Sequence, residues 1–172
     1  MGSLQDVLTE KISSSTENFF LEKIKSKMLA GAAMLVTAVR AIESVYGKEG
    51  VEVIHNAIKN RIIQLTRQWV EESKDKTLEG LCSSMGSHGT QEWTREGNNS
   101  RQSYKFTKCM WAEVFKELNA EDIGLWICEG DVLSANVFSS FNPQINFKRT
   151  KTLMQGHNIC DHEFFFTDQG DN

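Results

Sequence analysis

Proline is nearly absent from this sequence, with one among 172 residues, and no segment is dominated by glycine or serine. Disordered segments and flexible linkers are usually rich in these residues. We therefore expect one compact domain over residues 1–172. No cluster of lysine or arginine stands out, and the formal net charge is −4. These two features argue against a nucleic-acid partner.

Long hydrophobic runs are also missing. The most apolar stretch, residues 28–39, is short for a membrane span and continues a helical pattern on both sides. We expect it to be a core helix, with no membrane partner. The N-terminus lacks the apolar core of a signal peptide, which predicts a cytoplasmic location.

The usual catalytic signatures are absent: there is no Gly-x-Ser-x-Gly elbow, no His-Glu-x-x-His and no phosphate-binding glycine loop. The four cysteines lie far apart, without the short paired spacing of a structural zinc site. Free thiols are therefore expected rather than disulfides or a metal centre. A metal site ranks below a metal-free thiol site, and no cofactor is predicted.

The N-terminal half has a helical pattern. Apolar residues recur every three or four positions from Leu21 to Val45 and again from Val51 to Trp69, with Gly47 between the two runs. This predicts a long helical hairpin over about residues 16–73. An exposed apolar stripe on such a hairpin would support a homodimer.

The C-terminal half, about residues 77–168, mixes strands and helices. Residues 92–96 and 103–109 flank a tight turn and predict a β-hairpin, and two helical segments follow over about 110–119 and 120–141. Residues 144–153 and 159–166 predict two further strands. The sequence therefore predicts an α+β fold, with helices packed on one face of a four-stranded, mainly antiparallel sheet.

Several residues of this half have side chains suited to catalysis. Cys128 and Asp131 stand three residues apart on a predicted helix, which places a thiol and a carboxylate on one face. A carboxylate can orient a base or relay a proton, and a thiol becomes a nucleophile when its pKa falls. Cys109 lies where a strand gives way to a helix, and a helix N-terminus lowers the pKa of a thiol.

The last strand carries a second group. Cys160 and His162 share one face of this strand and Asp161 lies on the other, while His157 lies in the preceding turn. A cysteine and a histidine on one strand face can act as nucleophile and base, or as metal ligands. Arg149 is predicted to share a face with Ile145 and Phe147, and either binds a substrate carboxylate or forms part of a solvated strand edge. Any single cysteine is more often a small buried hydrophobe than a catalyst.

Three segments taken in order resemble a known family: "FTKCMWAEVFKEL", "LWICEGDVLSANVF" and "INFKRTKTLMQGHNICDHEFFF". They are similar to the bacterial L-2-amino-thiazoline-4-carboxylic acid hydrolases, in which a cysteine opens a helix, Cys-x-x-Asp follows on the next, and a Gly…Cys-Asp segment begins the last strand. The residues of this sequence that match the family pattern are Cys109, Cys128, Asp131, Gly156, Cys160 and Asp161. His157 and His162 depart from it, since they stand where an acidic and an aromatic residue are expected.

The resemblance implies a hydrolase that acts on carbon–nitrogen bonds other than peptide bonds and opens a cyclic amidine in a small, amino-acid-like substrate. Water would add to the ring carbon, and a ring carbon–nitrogen or carbon–sulfur bond would break to give a carbamoyl-cysteine. Cys160 is the expected nucleophile, with Cys109 as the alternative. Asp131 would contact the amidine or relay a proton, and Arg149 would bind the carboxylate. Cys128 and His157 complete the expected catalytic set, and Asp161 and His162 the substrate-binding set.

Two other hypotheses remain open. The chain could be a non-enzymatic sensor domain of the same fold, which binds a small molecule or a metal. It could also be an isomerase or lyase of specialised metabolism, which the departures at His157 and His162 permit.

Overall fold

The computed structural model describes residues 4–82 and 89–167, and within the first helix it describes side chains from Asn18 onward. Its helices are α1 (Leu4–Glu72), α2 (Leu78–Cys82), α3 (Met110–Glu117) and α4 (Glu121–Phe141). Its strands are β1 (Gln91–Asn98), β2 (Arg101–Cys109), β3 (Ile145–Lys148) and β4 (Cys160–Phe166), with a short 3-10 helix at Leu153–Gln155. The predicted α+β fold is confirmed.

The long helix α1 is broken at Gly47, as the sequence predicts. Gly47 has φ of 64° and ψ of −159°, a backbone conformation that glycine adopts without the steric penalty of a Cβ atom. The arms before and after this residue pack on one apolar cluster, through Val39 from the first arm and Ile54 from the second. The helix begins at Leu4, before residue 16, because the intervening Ser/Thr-rich stretch contains no proline or glycine to stop it.

Most of the α1 surface faces solvent. Among the described residues, the stretch 18–72 of α1, counted across the break at Gly47, is long and apolar enough to cross a membrane by length and composition alone. Its most apolar 18-residue window is only 11% buried. Ala32 and Val39 are buried in a stripe against α3 and the start of α4, whereas Met34 and Val45 are exposed.

The sheet has the strand order β1-β2-β4-β3, and every neighbouring pair is antiparallel. The hairpin predicted from the sequence is β1 with β2. The last strand, β4, lies between β2 and β3, so it is central in the sheet. One sheet face is buried, and it carries Tyr104 and Phe106 from β2 and Cys160, His162 and Phe164 from β4.

Helix α4 links the two apolar clusters of the protein. Its C-terminal part packs Ala135, Val137 and Phe138 under the sheet, beside Phe164. Its N-terminal part packs Ile123 with residues of α1 and α3. The middle of α4, between these clusters, therefore faces the end of the sheet where β4 begins.

Strand β3 is shorter than the sequence pattern predicts. The alternation runs over residues 144–153, but the strand stops at Lys148. The carboxylate of Asp161 accepts hydrogen bonds from the backbone N–H groups of Thr150 (2.8 Å) and Lys151 (2.6 Å). These bonds hold the chain after Arg149 in a loop instead of a continued strand.

Replacing Phe164 by alanine tests the role of the central strand. This side chain is fully buried, and its ring lies 4.8 Å from that of Phe147 and 6.0 Å from that of Phe138. We expect Phe164→Ala to lower the free energy of unfolding by about 3–5 kcal/mol, measured by urea denaturation, because it leaves a cavity. Phe165→Ala, on the opposite and less buried face, is the control; an equal loss there would contradict the assignment of the buried face.

Candidate active site

Four segments of the chain meet between α4 and the buried face of the sheet. Cys109 is the N-cap residue of α3, and Cys128 lies in the middle of α4. Arg149 follows β3, and Cys160 opens β4. The charges of Asp131 and Arg149 act on both the Cys128 and the Cys160 thiols, and Cys109 is close enough to interact electrostatically with both. The fold thus brings together most of the candidate residues from positions far apart in sequence.

An ion pair joins the loop after β3 to α4. Nη1 of Arg149 donates to Oδ2 of Asp131 at 2.8 Å and to the backbone carbonyl of Cys128 at 2.6 Å. The side chain of Arg149 is 13% exposed and that of Asp131 is 31% exposed. The pair is therefore largely withdrawn from bulk water, although solvent reaches part of the Asp131 side chain.

The protonation of Asp131 is sensitive near neutral pH. Burial raises the pKa of this carboxyl to about 6, although the charge and hydrogen bond of Arg149 act in the opposite direction. Desolvation disfavours the charged form of an acid, and here it outweighs the arginine. Asp131 can thus both accept and release a proton at physiological pH, as a general acid–base group must.

His162 lies beside this pair on β4. Its ring packs between those of Phe106 (4.9 Å between centroids) and Phe147 (5.7 Å). Nε2 is 3.5 Å from Oδ2 of Asp131, too far for a good hydrogen bond. Burial, together with the positive charge of Arg149, lowers the pKa of His162 to about 4. The imidazole is therefore neutral at pH 7.

The Cys128 and Cys160 thiols are protonated at rest. Burial raises the pKa of Cys128 to about 12, and the negative charge of Asp131 acts in the same direction. Burial also raises the pKa of Cys160, against the effect of the Leu153 backbone N–H, which donates to its Sγ at 3.0 Å. All four cysteines are free, as expected. The lowered thiol pKa that a resting nucleophile would need is not found at Cys128 or Cys160.

Two candidate residues lie apart from this group. Asp161 points to the other face of β4, where its carboxylate is bonded to Thr150 and Lys151. His157 is exposed in the turn after the 3-10 helix, and its backbone N–H donates to the carbonyl of Thr152. Asp161 therefore shapes the loop that carries Arg149, and the structure does not bring His157 to the thiols.

Sequence reasoning missed three contributors. The Leu153 N–H that contacts Cys160 belongs to a 3-10 helix whose ends are marked in the sequence by Thr152, Gln155 and Gly156, but these signals do not indicate contact with a thiol. Phe106 and Phe147 form the walls around His162, and strand alternation places both on the buried face. The alternation predicts which face of the sheet these two side chains occupy, but it does not predict that they contact a histidine.

A cleft of about 250 Å³ lies beside β4. Asp161 and His162 line it, together with Lys148 and Thr150, whereas Cys128, Asp131 and Cys160 do not. Among the described residues, no group of three or more His, Cys, Asp or Glu side chains has the arrangement of a metal site. The geometry is thus that of a thiol and carboxylate group with a neutral histidine at its edge.

Comparison with known protein families gives a match over most of the chain. The family model described as L-2-amino-thiazoline-4-carboxylic acid hydrolase matches residues 24–164, which is most of the chain and includes every candidate residue. No curated protein matches the chain.

The opposite pKa shifts of Asp131 and His162 predict an unusual pH dependence of stability. Between pH 4 and 6 the native state holds the Asp131 proton that the unfolded chain has released, so this residue makes stability fall as pH rises. From pH 4 to 6.5 the unfolded chain holds the His162 proton that the native state lacks, so stability rises with pH. In the wild type the two effects largely cancel.

We expect Asp131→Asn to remove only the first effect. The free energy of unfolding, measured with urea at pH 4.5, 5.5 and 6.5, should then rise with pH more steeply than in the wild type, by up to about 1.4 kcal/mol per pH unit. Asp122→Asn, which removes an exposed α4 carboxylate that pairs with Arg40, does not touch the Asp131–Arg149 pair and should keep the wild-type slope. A wild-type slope in Asp131→Asn would contradict the raised pKa of Asp131.

Proposed function

Since the chain belongs to the L-2-amino-thiazoline-4-carboxylic acid hydrolase family, we propose that it hydrolyses a small cyclic amidine that bears a carboxylate. The observation that carries this proposal is the Asp131–Arg149 ion pair beside Cys160. A substrate such as 2-amino-thiazoline-4-carboxylate has one cationic end and one anionic end. The site offers one group of each charge, side by side.

Each charged group has capacity for a ligand. Asp131 is 31% exposed, and a carboxylate has about four acceptor positions, so it can accept from the amidine as well as from Arg149. Arg149 has five N–H donors, and its contacts with Asp131 and Cys128 use Nη1. Its other nitrogens are suited to a planar, two-point contact with the substrate carboxylate.

The proposed reaction begins with Cys160. Its Sγ adds to the ring carbon between sulfur and nitrogen, and its proton passes to Asp131, whose pKa of about 6 suits this exchange. The Leu153 N–H stabilises the developing thiolate. A bound amidinium cation near the thiol also favours the thiolate, which is why the raised resting pKa is compatible with a nucleophile.

Asp131 then returns the proton to the ring atom that leaves. Breaking the ring carbon–sulfur or carbon–nitrogen bond leaves the amidine carbon on Cys160, and one water molecule attacks this carbon and restores the thiol. The products are the free enzyme and a carbamoyl-cysteine. The balance is one substrate and one water consumed, with no oxidant and no cofactor. Small-molecule substrate binding, a cytoplasmic location and a homodimer remain predictions.

A direct assay tests this function. The purified protein is incubated with L-2-amino-thiazoline-4-carboxylate, and the products are followed by mass spectrometry in water and in ¹⁸O-labelled water, with and without a chelator. We expect a carbamoyl-cysteine that contains one solvent oxygen, formed equally in both chelator conditions. If neither this compound nor any related cyclic amidine gives a product, the proposal is overturned.

Replacing Cys160 by serine tests the nucleophile. Because serine is a much weaker nucleophile without a dedicated base, we expect Cys160→Ser to lower kcat by at least about 100-fold, with the fold retained by circular dichroism. Cys82→Ala is the matched control, since Cys82 is fully buried under β2 and its backbone carbonyl, not its thiol, accepts from Tyr104. Wild-type activity in Cys160→Ser would remove Cys160 from the mechanism.

A further inference from the structure

His162 has a hydrogen-bonding deficit that neither the fold nor the proposed reaction explains. It is only 6% exposed, and within the described part of the chain neither Nδ1 nor Nε2 has a hydrogen-bond partner. Leaving a buried polar atom unpaired costs about 1–3 kcal/mol. Such atoms in a folded protein point to a missing partner or to a functional role.

The position of the ring is fixed by its neighbours. Phe106 and Phe147 pack against it from two sides, and the antiparallel pairing of Tyr104 with His162 holds its backbone in the centre of the sheet. Asp131 is held in turn by Arg149. Nε2 of His162 and Oδ2 of Asp131 therefore stand 3.5 Å apart as a preorganised pair of polar atoms.

Burial and the charges around the ring favour the neutral imidazole. Burial and the positive charge of Arg149 lower the pKa of His162. The negative charge of Asp161 raises this pKa, but its effect is the smallest of the three. A neutral imidazole has one acceptor nitrogen and one N–H. Without a ligand, the nearby Asp131 carboxylate favours the tautomer with its proton on Nε2, whereas a ligand with two N–H donors favours the proton on Nδ1. In that second tautomer Nε2 and Oδ2 of Asp131, 3.5 Å apart, are two neighbouring acceptors.

We propose that His162 is the residue that selects the amidine group of the substrate, by accepting one N–H of the amidine while Asp131 accepts a neighbouring N–H of the same group. This inference rests on the proposed function and identifies the residue that determines the substrate specificity of that site. Phenylalanine in place of His162 would keep the packing and remove the acceptor.

The pair also predicts which ligands are rejected. A 2-oxothiazolidine-4-carboxylate has the ring and carboxylate of the substrate, but a carbonyl oxygen replaces an N–H donor. That oxygen would face two acceptors, and a mismatched polar contact in a buried site is strongly unfavourable. Arg149 would still bind its carboxylate, so the difference between the two ligands isolates the amidine contact.

Binding is measured by calorimetry at pH 7.5 in the Cys160→Ala background, which cannot complete the proposed reaction. The two ligands are L-2-amino-thiazoline-4-carboxylate and 2-oxothiazolidine-4-carboxylate. We expect the parent to prefer the amidine at least tenfold and His162→Phe to weaken amidine binding at least tenfold, with little change for the oxo compound. His162→Gln, whose amide oxygen is an acceptor, should recover part of the preference.

Three results would overturn the inference. An unchanged Kd for the amidine in His162→Phe would remove His162 from recognition, and an equal loss for both ligands would make its role structural. Either result leaves the proposed hydrolysis in place if the wild type turns over the amidine. If the parent does not bind the amidine and the wild type does not hydrolyse it, the inference and the proposed function fail together.

Discussion

The ion pair between Arg149 and Asp131 is the interaction on which the site depends. It ties the loop after β3 to the middle of α4 through one nitrogen, Nη1, which contacts both the Asp131 carboxylate and the Cys128 carbonyl. Removing one partner of this partly buried ion pair leaves the other charge uncompensated, which is destabilising. The pair therefore fixes the distance between helix and sheet at the place where Cys160 and His162 lie.

The electrostatics of the site follow from that pair. Arg149 restrains the rise in the pKa of Asp131 that burial causes, and it adds to the fall in the pKa of His162. The Cys128 and Cys160 thiols, by contrast, are kept protonated by burial. The resting site is thus an arginine and a carboxyl beside a neutral ring and neutral thiols. Such a site is suited to activation by a cationic substrate, because the ligand supplies the charge that the buried thiol lacks.

Local patterns predicted the fold and the orientation of many site residues. Strand alternation placed Cys160, His162 and Phe164 on one face, and the three-residue spacing placed Cys128 with Asp131. Contacts between distant segments were not predictable in this way. The central position of β4, the early end of β3 and the Leu153 contact with Cys160 depend on tertiary packing. The thiol pKa values follow from burial, which spacing does not reveal.

The most direct test of the account is the kcat/KM of Arg149→Ala for L-2-amino-thiazoline-4-carboxylate. Loss of a charged hydrogen-bond donor from a partly buried site costs about 1.5–3 kcal/mol, so kcat/KM should fall at least about tenfold and mainly through KM. Lys148→Ala, which removes the neighbouring exposed cation, should leave kcat/KM close to the wild-type value. An Arg149→Ala variant that is folded and retains wild-type kcat/KM would contradict the central role of the ion pair.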